Sequence, residues 1–454
     1  MKTKLMMAAM LSALTNIMAQ APENTPTGFT LKEAREYALQ HSYFTRKAMM
    51  DLEKAEQRVK EITGMGLPQI SASAGLNHFI EIPTQIAPLS AFDPRAPEGE
   101  YAELQFGTKS NLKAGLAINQ LIFDGSYIVG LKASRTYREI ALADKARSDE
   151  QIKRDVTKAY GTVLVVRENL RLLRENEQTL QNLERDNNAL FEAGFIEETD
   201  RDQIRIMLLN IRNLIIETEK LELTVLDMLK FTLGIPIKNT VDLTDKLADL
   251  QEPVTNATEN LDKSLKLENH VDYKMAGVNL RSSELMLSNE RSGYFPKLYG
   301  FLNLEQNSFS NEFNHFSPKG VDGKWYPTAI IGLQLNVPIF NGGSRFMKAQ
   351  QAKVGVEQAE LLMEQTEQSL QLEAANKRNN YLSSVNKLSN AKENLSLNEK
   401  VKTRTQKKFK EGMAASFELT QIENQYLSSQ SAYIGALLDA ITAKADLDYA
   451  TANY

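Results

Sequence analysis

The chain has 454 residues, with 53 Lys and Arg against 58 Asp and Glu, a net charge of −5. Hydrophobic residues make up 42% and charged residues 24%, which excludes both a bundle of membrane helices and a largely disordered chain, and the acidic balance argues against a general nucleic-acid binder. Cysteine is absent and there are four histidines. Thiolate catalysis, disulfides, Cys-ligated zinc and a lipid-modified cysteine are therefore excluded, and little is left for a histidine metal site or a catalytic triad.

Lys2 and Lys4, the apolar stretch Leu5 to Leu14 and Ile17-Met18-Ala19 read as a secretory signal over residues 1–19, with the cut after Ala19. A buried N-terminal helix is the plain alternative. Beyond the signal no apolar run reaches the roughly 18–20 residues of a spanning helix. A mature chain that crosses a membrane must do so with strands.

Residues 30–62 are rich in Ala, Leu, Glu, Lys and Arg at helical spacing, and the Gly64, Gly66, Pro68 break ends the predicted helix. The period then changes to two. A strand is expected over about 68–80, where Ile70, Ala72 and Ala74 alternate with Ser71 and Ser73. Residues 80–107, with Pro83, Pro88, Pro94 and Pro97, read as a loop. A second strand follows over about 108–123, where Leu112, Ala114, Leu116 and Ile118 alternate with Asn111, Lys113, Gly115 and Asn119. At Asp124-Gly125-Ser126 a glycine free to take positive φ meets side chains able to cap a helix.

Residues 126–190 contain no proline. Ile152, Val156, Ala159, Val163, Val166, Leu170 and Leu173 step alternately by four and three, which is a coiled-coil seam. A helix of about 60 residues is about 90 Å long at 1.5 Å per residue, too long for a compact domain. It ends at Phe191-x-x-Gly194, a turn of 191–200 leading to Thr199-Asp200, and a further helix closes a first unit of 20–240. Residues 241–258 read as a linker.

A second unit, 259–454, runs through the same order. A helix over 259–292 breaks at Gly293 and Pro296. Strands follow over about 295–306, with Leu298, Gly300, Leu302 and Leu304 on one face, and about 327–340, with Leu333, Leu335, Val337 and Ile339. Between them lies a loop of 306–326 holding Phe309, Phe313, Phe316 and Trp325, aromatics that suit a membrane–water interface as well as ordinary loop packing. Asn341-Gly342-Gly343-Ser344 leads into a proline-free helix over 343–408 and a turn of 409–418 containing Phe409-x-x-Gly412.

The landmarks recur in register. Pro68 answers to Pro296, Phe123-Asp124-Gly125 to Phe340-Asn341-Gly342, and Phe191 to Phe409. From Phe123 to Phe191 is 68 residues and from Phe340 to Phe409 is 69, while the first unit carries about 11 extra residues between Pro68 and Phe123. The chain is one unit written twice. Each unit offers two strands, and four strands cannot close a transmembrane barrel of about eight or more. A half-apolar sheet with free edges calls for symmetric association of several copies, the long helices continuing the barrel as a tube.

These residues together resemble the TolC-type outer membrane efflux proteins, over essentially the whole mature chain. The resemblance is carried by Pro68 and Pro296, the Ile122-Phe123-Asp124-Gly125 and Ile339-Phe340-Asn341-Gly342-Gly343 junctions, and the two Phe-x-x-Gly turns. It implies a mixed α and β fold of two tandem repeats, each a β-hairpin with long coiled-coil helices. It implies a homotrimer whose strands form a 12-stranded barrel in the bacterial outer membrane, continued by a periplasmic helical barrel with an equatorial belt near 235–260 and the C-terminal tail. It implies docking of the tips, at Phe191, Gly194, Asp200, Phe409 and Gly412, to a periplasmic adaptor that links the duct to an inner-membrane pump. Glu418 falls where some members place the first acid of a pore constriction, while the second acidic position is Gln421 here, which departs from a double acidic ring. The plain alternative for Asp200 and Glu418 is a first-turn acid facing the helix dipole.

The expectation is a passive exit duct of a tripartite efflux or secretion system, not an enzyme, with no cofactor, no metal, no nucleic acid and no lipid anchor. His41, His78, His270 and His315 show no close metal-ligand spacing. The competing reading is a soluble secreted coiled-coil adaptor or structural protein without a pore. A secreted hydrolase lacks any G-x-S-x-G or H-E-x-x-H motif to organise chemistry.

Overall fold

A computed structural model describes residues 28–250 and 265–452. The expected signal over 1–19, residues 251–258 of the expected linker, the start of the second unit at 259–264 and the last two residues lie outside the described residues. The chain divides into two compact bodies, one from 1–50, 143–274 and 365–454, the other from 51–142 and 275–364.

The elements in order are β1 (Gly28–Phe29), α1 (Leu31–His41), α2 (Tyr43–Gly64), β2 (Gln69–His78), β3 (Thr84–Pro88), β4 (Tyr101–Gln105), β5 (Ser110–Phe123), α3 (Gly125–Glu192) and α4 (Glu198–Leu233). After these come β6 (Asp242–Leu243), α5 (Val271–Ser292), β7 (Lys297–Ser310), β8 (Trp325–Asn336), α6 (Ser344–Lys410) and α7 (Ser416–Ala450). The helices α3 and α6 hold 68 and 67 residues, so each is about 100 Å long at 1.5 Å per residue.

The second body holds a four-stranded antiparallel sheet in the order β2-β5-β7-β8. Its register sorts the side chains into two faces, because successive residues of a strand point to opposite sides. Ile70 pairs with Ile118, Ile118 with Leu302 and Leu302 with Ile331. Leu116 pairs with Ala72 and with Leu304, and Gly300 with Leu333. That face is apolar, and its Ile70, Leu116, Ile331, Leu333 and Leu335 are exposed. The opposite face carries Ser71, Ser73, Asn77, Asn111, Asn119, Asn303 and Gln334, together with an ion pair between Lys113 and Glu305 at 2.7 Å. Among the described residues, both outer strands, β2 and β8, have one neighbour only.

Four local features differ from expectation. The segment read as a loop over 80–107 pairs β3 with β4, from Thr84 opposite Gln105 to Pro88 opposite Tyr101. Prolines obscured that hairpin in the sequence, since they mark turns and strand edges alike. The second aromatic loop is shorter than 306–326, because β7 runs to Ser310 and β8 begins at Trp325. At the other end β8 stops at Asn336 rather than near 340; Pro338 lacks the N–H that a further ladder bond requires. The two strand–helix junctions also solve the same turn differently. Gly342 and Gly343 take positive φ, whereas Gly125 does not. A Cβ on Gly125 would instead meet Ser292 O at 3.2 Å, so that position demands close approach, and Asp124 Oδ1 accepts from the Ser126 N–H at 2.8 Å.

Among the described residues, the regular structure of the first body is helical apart from a two-residue parallel pairing of β1 with β6. The seam residues Ile152, Val156, Val163, Val166, Leu170 and Leu173 are all buried. They feed two successive apolar clusters, one with Phe29, Leu229, Leu233, Ile235 and Leu243, the other with Ile204, Leu208, Ile211 and Leu419. Around the first cluster the Tyr160 hydroxyl lies 2.8 Å from the Phe29 carbonyl oxygen and 3.1 Å from Asp245 Oδ2, one proton shared between two acceptors, while the Leu31 N–H donates to the same carboxylate at 2.7 Å. Thr30 and Glu33 form a reciprocal capping box at the start of α1. The start of the expected linker, at Val241, Leu243 and Asp245, is thus held against the helices of this body.

Candidate functional site: the two helix tips

Both candidate turns lie in the helical body. At the end of α3, Gly194 has φ 76°, its N–H donates to the Phe191 carbonyl at 2.9 Å and the Phe195 N–H donates to Leu190 O at 2.9 Å. At the end of α6, Gly412 has φ 73°, its N–H donates to Phe409 O at 3.0 Å and the Met413 N–H donates to Lys408 O at 2.8 Å. These are the paired 5→2 and 6→1 bonds of a Schellman cap, which satisfies terminal carbonyls at the cost of one left-handed residue. Nothing lies within 4 Å of a Cβ built on either glycine. The requirement for glycine here is conformational.

The flanking acids separate into two kinds. Asp200 is in the first turn of α4 and accepts a short hydrogen bond from the hydroxyl of Ser416, the buried first residue of α7. Lys410 pairs with Asp186 at 2.8 Å, a second link between the hairpins. Glu418, in the first turn of α7, is exposed, as is Gln421 three residues later. The structure thus ties Asp200 to the second hairpin and leaves Glu418 and Gln421 on the surface of the chain. Phe409 packs against the cluster containing Leu419. Phe191 instead lies under the Arg201 guanidinium, 4.5 Å from its ring centre.

Sequence reasoning missed a buried polar group in the same body. Lys402 Nζ lies 3.2 Å from Glu423 Oε2, also bonds Asn176 Oδ1, and sits 4.1 Å from the centre of the Tyr426 ring. Gln406 donates to the other Glu423 oxygen at 2.6 Å. Burial holds the Lys402 ammonium below the usual lysine value, while the attraction of Glu423 works the other way. A signal existed. Continuing the buried positions Tyr381 and Leu388 of α6 by steps of three and four leads to Asn398, Lys402 and Thr405, all buried, so polar residues occupy the seam.

Among the described residues no group of three or more His, Asp or Glu is placed to hold a metal ion, and no helix is long and apolar enough to cross a membrane.

Residues 264–453, which hold the second copy of the motifs from Pro296 to Gly412, match the model of the outer membrane efflux protein family. That is a family of channels and ducts, not of enzymes. The fold is that of solved outer membrane channels. The Campylobacter jejuni CmeC outer membrane channel matches with a TM-score of 0.68 at 16% identity, covering 93% of this chain and 85% of its own. The Vibrio cholerae outer membrane protein VceC matches at 0.67 and 14% identity, covering 93% and 95%. The open-state Neisseria gonorrhoeae MtrE outer membrane channel matches at 0.67 and 16%, covering 93% and 88%. No curated protein matches the sequence.

Proposed function

We propose that this protein is the outer membrane exit duct of a tripartite efflux or secretion system, a passive path for substrates across the periplasm and outer membrane. The observation that carries this is the four-stranded sheet with two free edges, one exposed apolar face and one polar face. Such a sheet is stable in a bilayer only if its edges are paired, since unpaired N–H and C=O groups have no water to bond there. Three copies joining β2 of one to β8 of the next make a 12-stranded barrel. The apolar face then meets lipid, and Lys113 and Glu305 line the lumen.

The long helices form the periplasmic tube, and residues 1–19 direct export. Phe191, Gly194, Asp200, Phe409 and Gly412 make the end that docks a periplasmic adaptor, which connects the duct to an inner-membrane pump supplying the energy. Glu418 is the candidate gate: three symmetry copies of one carboxylate around a pore repel anions and attract cations. The duct needs no cofactor and performs no chemical step.

The test is single-channel conductance of the purified protein in a planar bilayer, with its mass in detergent. A trimer with a small cation-preferring conductance, raised by Glu418→Ala, supports the duct. A soluble monomer that never inserts replaces it with the secreted coiled-coil reading.

A further inference from the structure

The loop between β7 and β8 is folded over one identifiable face of the sheet. Ser110 pairs with Ser310, Leu112 with Ser308 and Ser308 with Trp325, so Ser110, Ser308, Ser310 and Trp325 continue the apolar row of Leu112, Leu116 and Leu304. His315 is buried on that side, its two ring nitrogens bonded to Ser110 Oγ at 2.8 Å and Ser308 Oγ at 2.9 Å. The backbone is held there at both ends of the bend. Trp325 Nε1 donates to His315 O at 2.9 Å and Ser308 Oγ donates to Gly323 O at 2.8 Å. Asp322 accepts from Ser310 Oγ at 2.9 Å, the Asn311 N–H at 2.8 Å and Asn314 Nδ2 at 2.8 Å. A Cβ on Gly323 would meet Asn314 O at 2.1 Å, so the bend closes only around glycine. Between these anchors Phe316 and Val321 are 81% and 78% exposed. A loop that fixes its backbone so fully while leaving its apolar side chains uncovered has a partner for them.

We propose that the 311–324 loop is a membrane-anchoring shelf, seating Phe316 and Val321 in the lipid headgroup layer at the end of the barrel remote from the helices. Its occupant is lipid because the loop is continuous with the apolar sheet face and lies on the same side of it. Aromatic and aliphatic side chains at this depth exchange water for the acyl boundary, as aromatic girdles do on transmembrane barrels. His315 is the peg, joining the loop to β5 and β7 at once. The inference rests on the barrel reading, and its test separates the two.

The chain has no cysteine, so Phe316→Cys and Ile331→Cys each carry a single nitroxide label. Ile331 lies in the middle of the apolar face and is 82% exposed. The full-length protein is reconstituted in phosphatidylethanolamine–phosphatidylglycerol vesicles, and power saturation compares collisions with oxygen and with a water-soluble nickel complex. Both labels are expected to favour oxygen, the label at 331 more strongly. Adding His315→Ala is expected to raise nickel collisions at 316 and leave 331 unchanged. A label at 316 open to nickel beside a protected one at 331 overturns the shelf and leaves the barrel standing. Nickel access at both positions sinks the barrel and the shelf together. No change at 316 on adding His315→Ala removes the histidine from the role of peg.

Discussion

The two tip turns share one backbone solution and differ in the side chains that hold them. Each ends its long helix with a left-handed glycine and the same two carbonyl-satisfying bonds. The first turn is held from outside, by Arg201 over the Phe191 ring and in ion pairs with Glu198 and Asp202. The second is held from within, with Ser416 buried against Asp200, Phe409 against the core, and Lys402 and Glu423 buried in the helices that lead to it. Surface ion pairs contribute little each, whereas a buried pair is costly to break. The Ser416–Asp200 bond belongs to both turns, so each helps to hold the other.

The sharpest break of this comparison is Glu423→Ala, which leaves the Lys402 charge buried without its partner. A loss of about 3–5 kcal/mol is expected from that mechanism, read as a fall in the thermal midpoint of the helical circular dichroism signal. Lys402→Met combined with Glu423→Leu should recover most of it, because removing both charges removes the uncompensated one. The same pair gives a pH signature. The Lys402 ammonium loses its proton more readily folded than unfolded, so the unfolded chain binds more protons between the two values. Stability therefore rises with pH over the window below the free-lysine value of 10.5. Lys402→Met should flatten that rise; an unchanged slope sinks the assignment.

Ser416→Ala comes next. It removes a hydrogen bond to a carboxylate and is expected to cost about 1.5 kcal/mol, with a longer open time in bilayer recordings if this link helps hold the tips together. Gly194→Ala and Gly412→Ala sharpen the comparison from the opposite side. Open space surrounds both, so each should lose about 1–2 kcal/mol from the left-handed conformation alone. Equal losses at both sites are expected in denaturation, and a much larger one at Gly412 would mean that its surroundings resist the side chain. Glu418→Gln is the smallest in stability, since the side chain is exposed. Its expected effect is a reduced preference for cations in reversal-potential measurements.

Much of the fold could be read in advance because it depends on periodicity. A seam stepping by three and four from Ile152 to Leu173 can hide its apolar side only in helix packing, and the alternation from Asn111 to Asn119 can do so only in a strand. The Phe-x-x-Gly turns were legible because a left-handed helix end selects glycine. The β3–β4 hairpin was not, since Pro88 and its neighbours mark a turn and an edge strand equally. Nor was the Lys402–Glu423 pair. Its members are 21 positions apart on different helices, and the seam position of Lys402 points to its burial without naming the partner.

What the sequence determined by itself was the alternation of elements, the paired landmarks and the positions of the turns, all set by interactions within a few residues along the chain. Tertiary structure alone decided which acid is tied and which is exposed, that Gly125 serves close approach while Gly342 and Gly343 serve positive φ, and that the 311–324 loop folds over the apolar face of the sheet. The tie on Asp200, the close approach at Gly125 and the fold of the 311–324 loop each depend on a partner brought near by strand register or helix packing, and such a partner leaves no trace in the neighbouring residues.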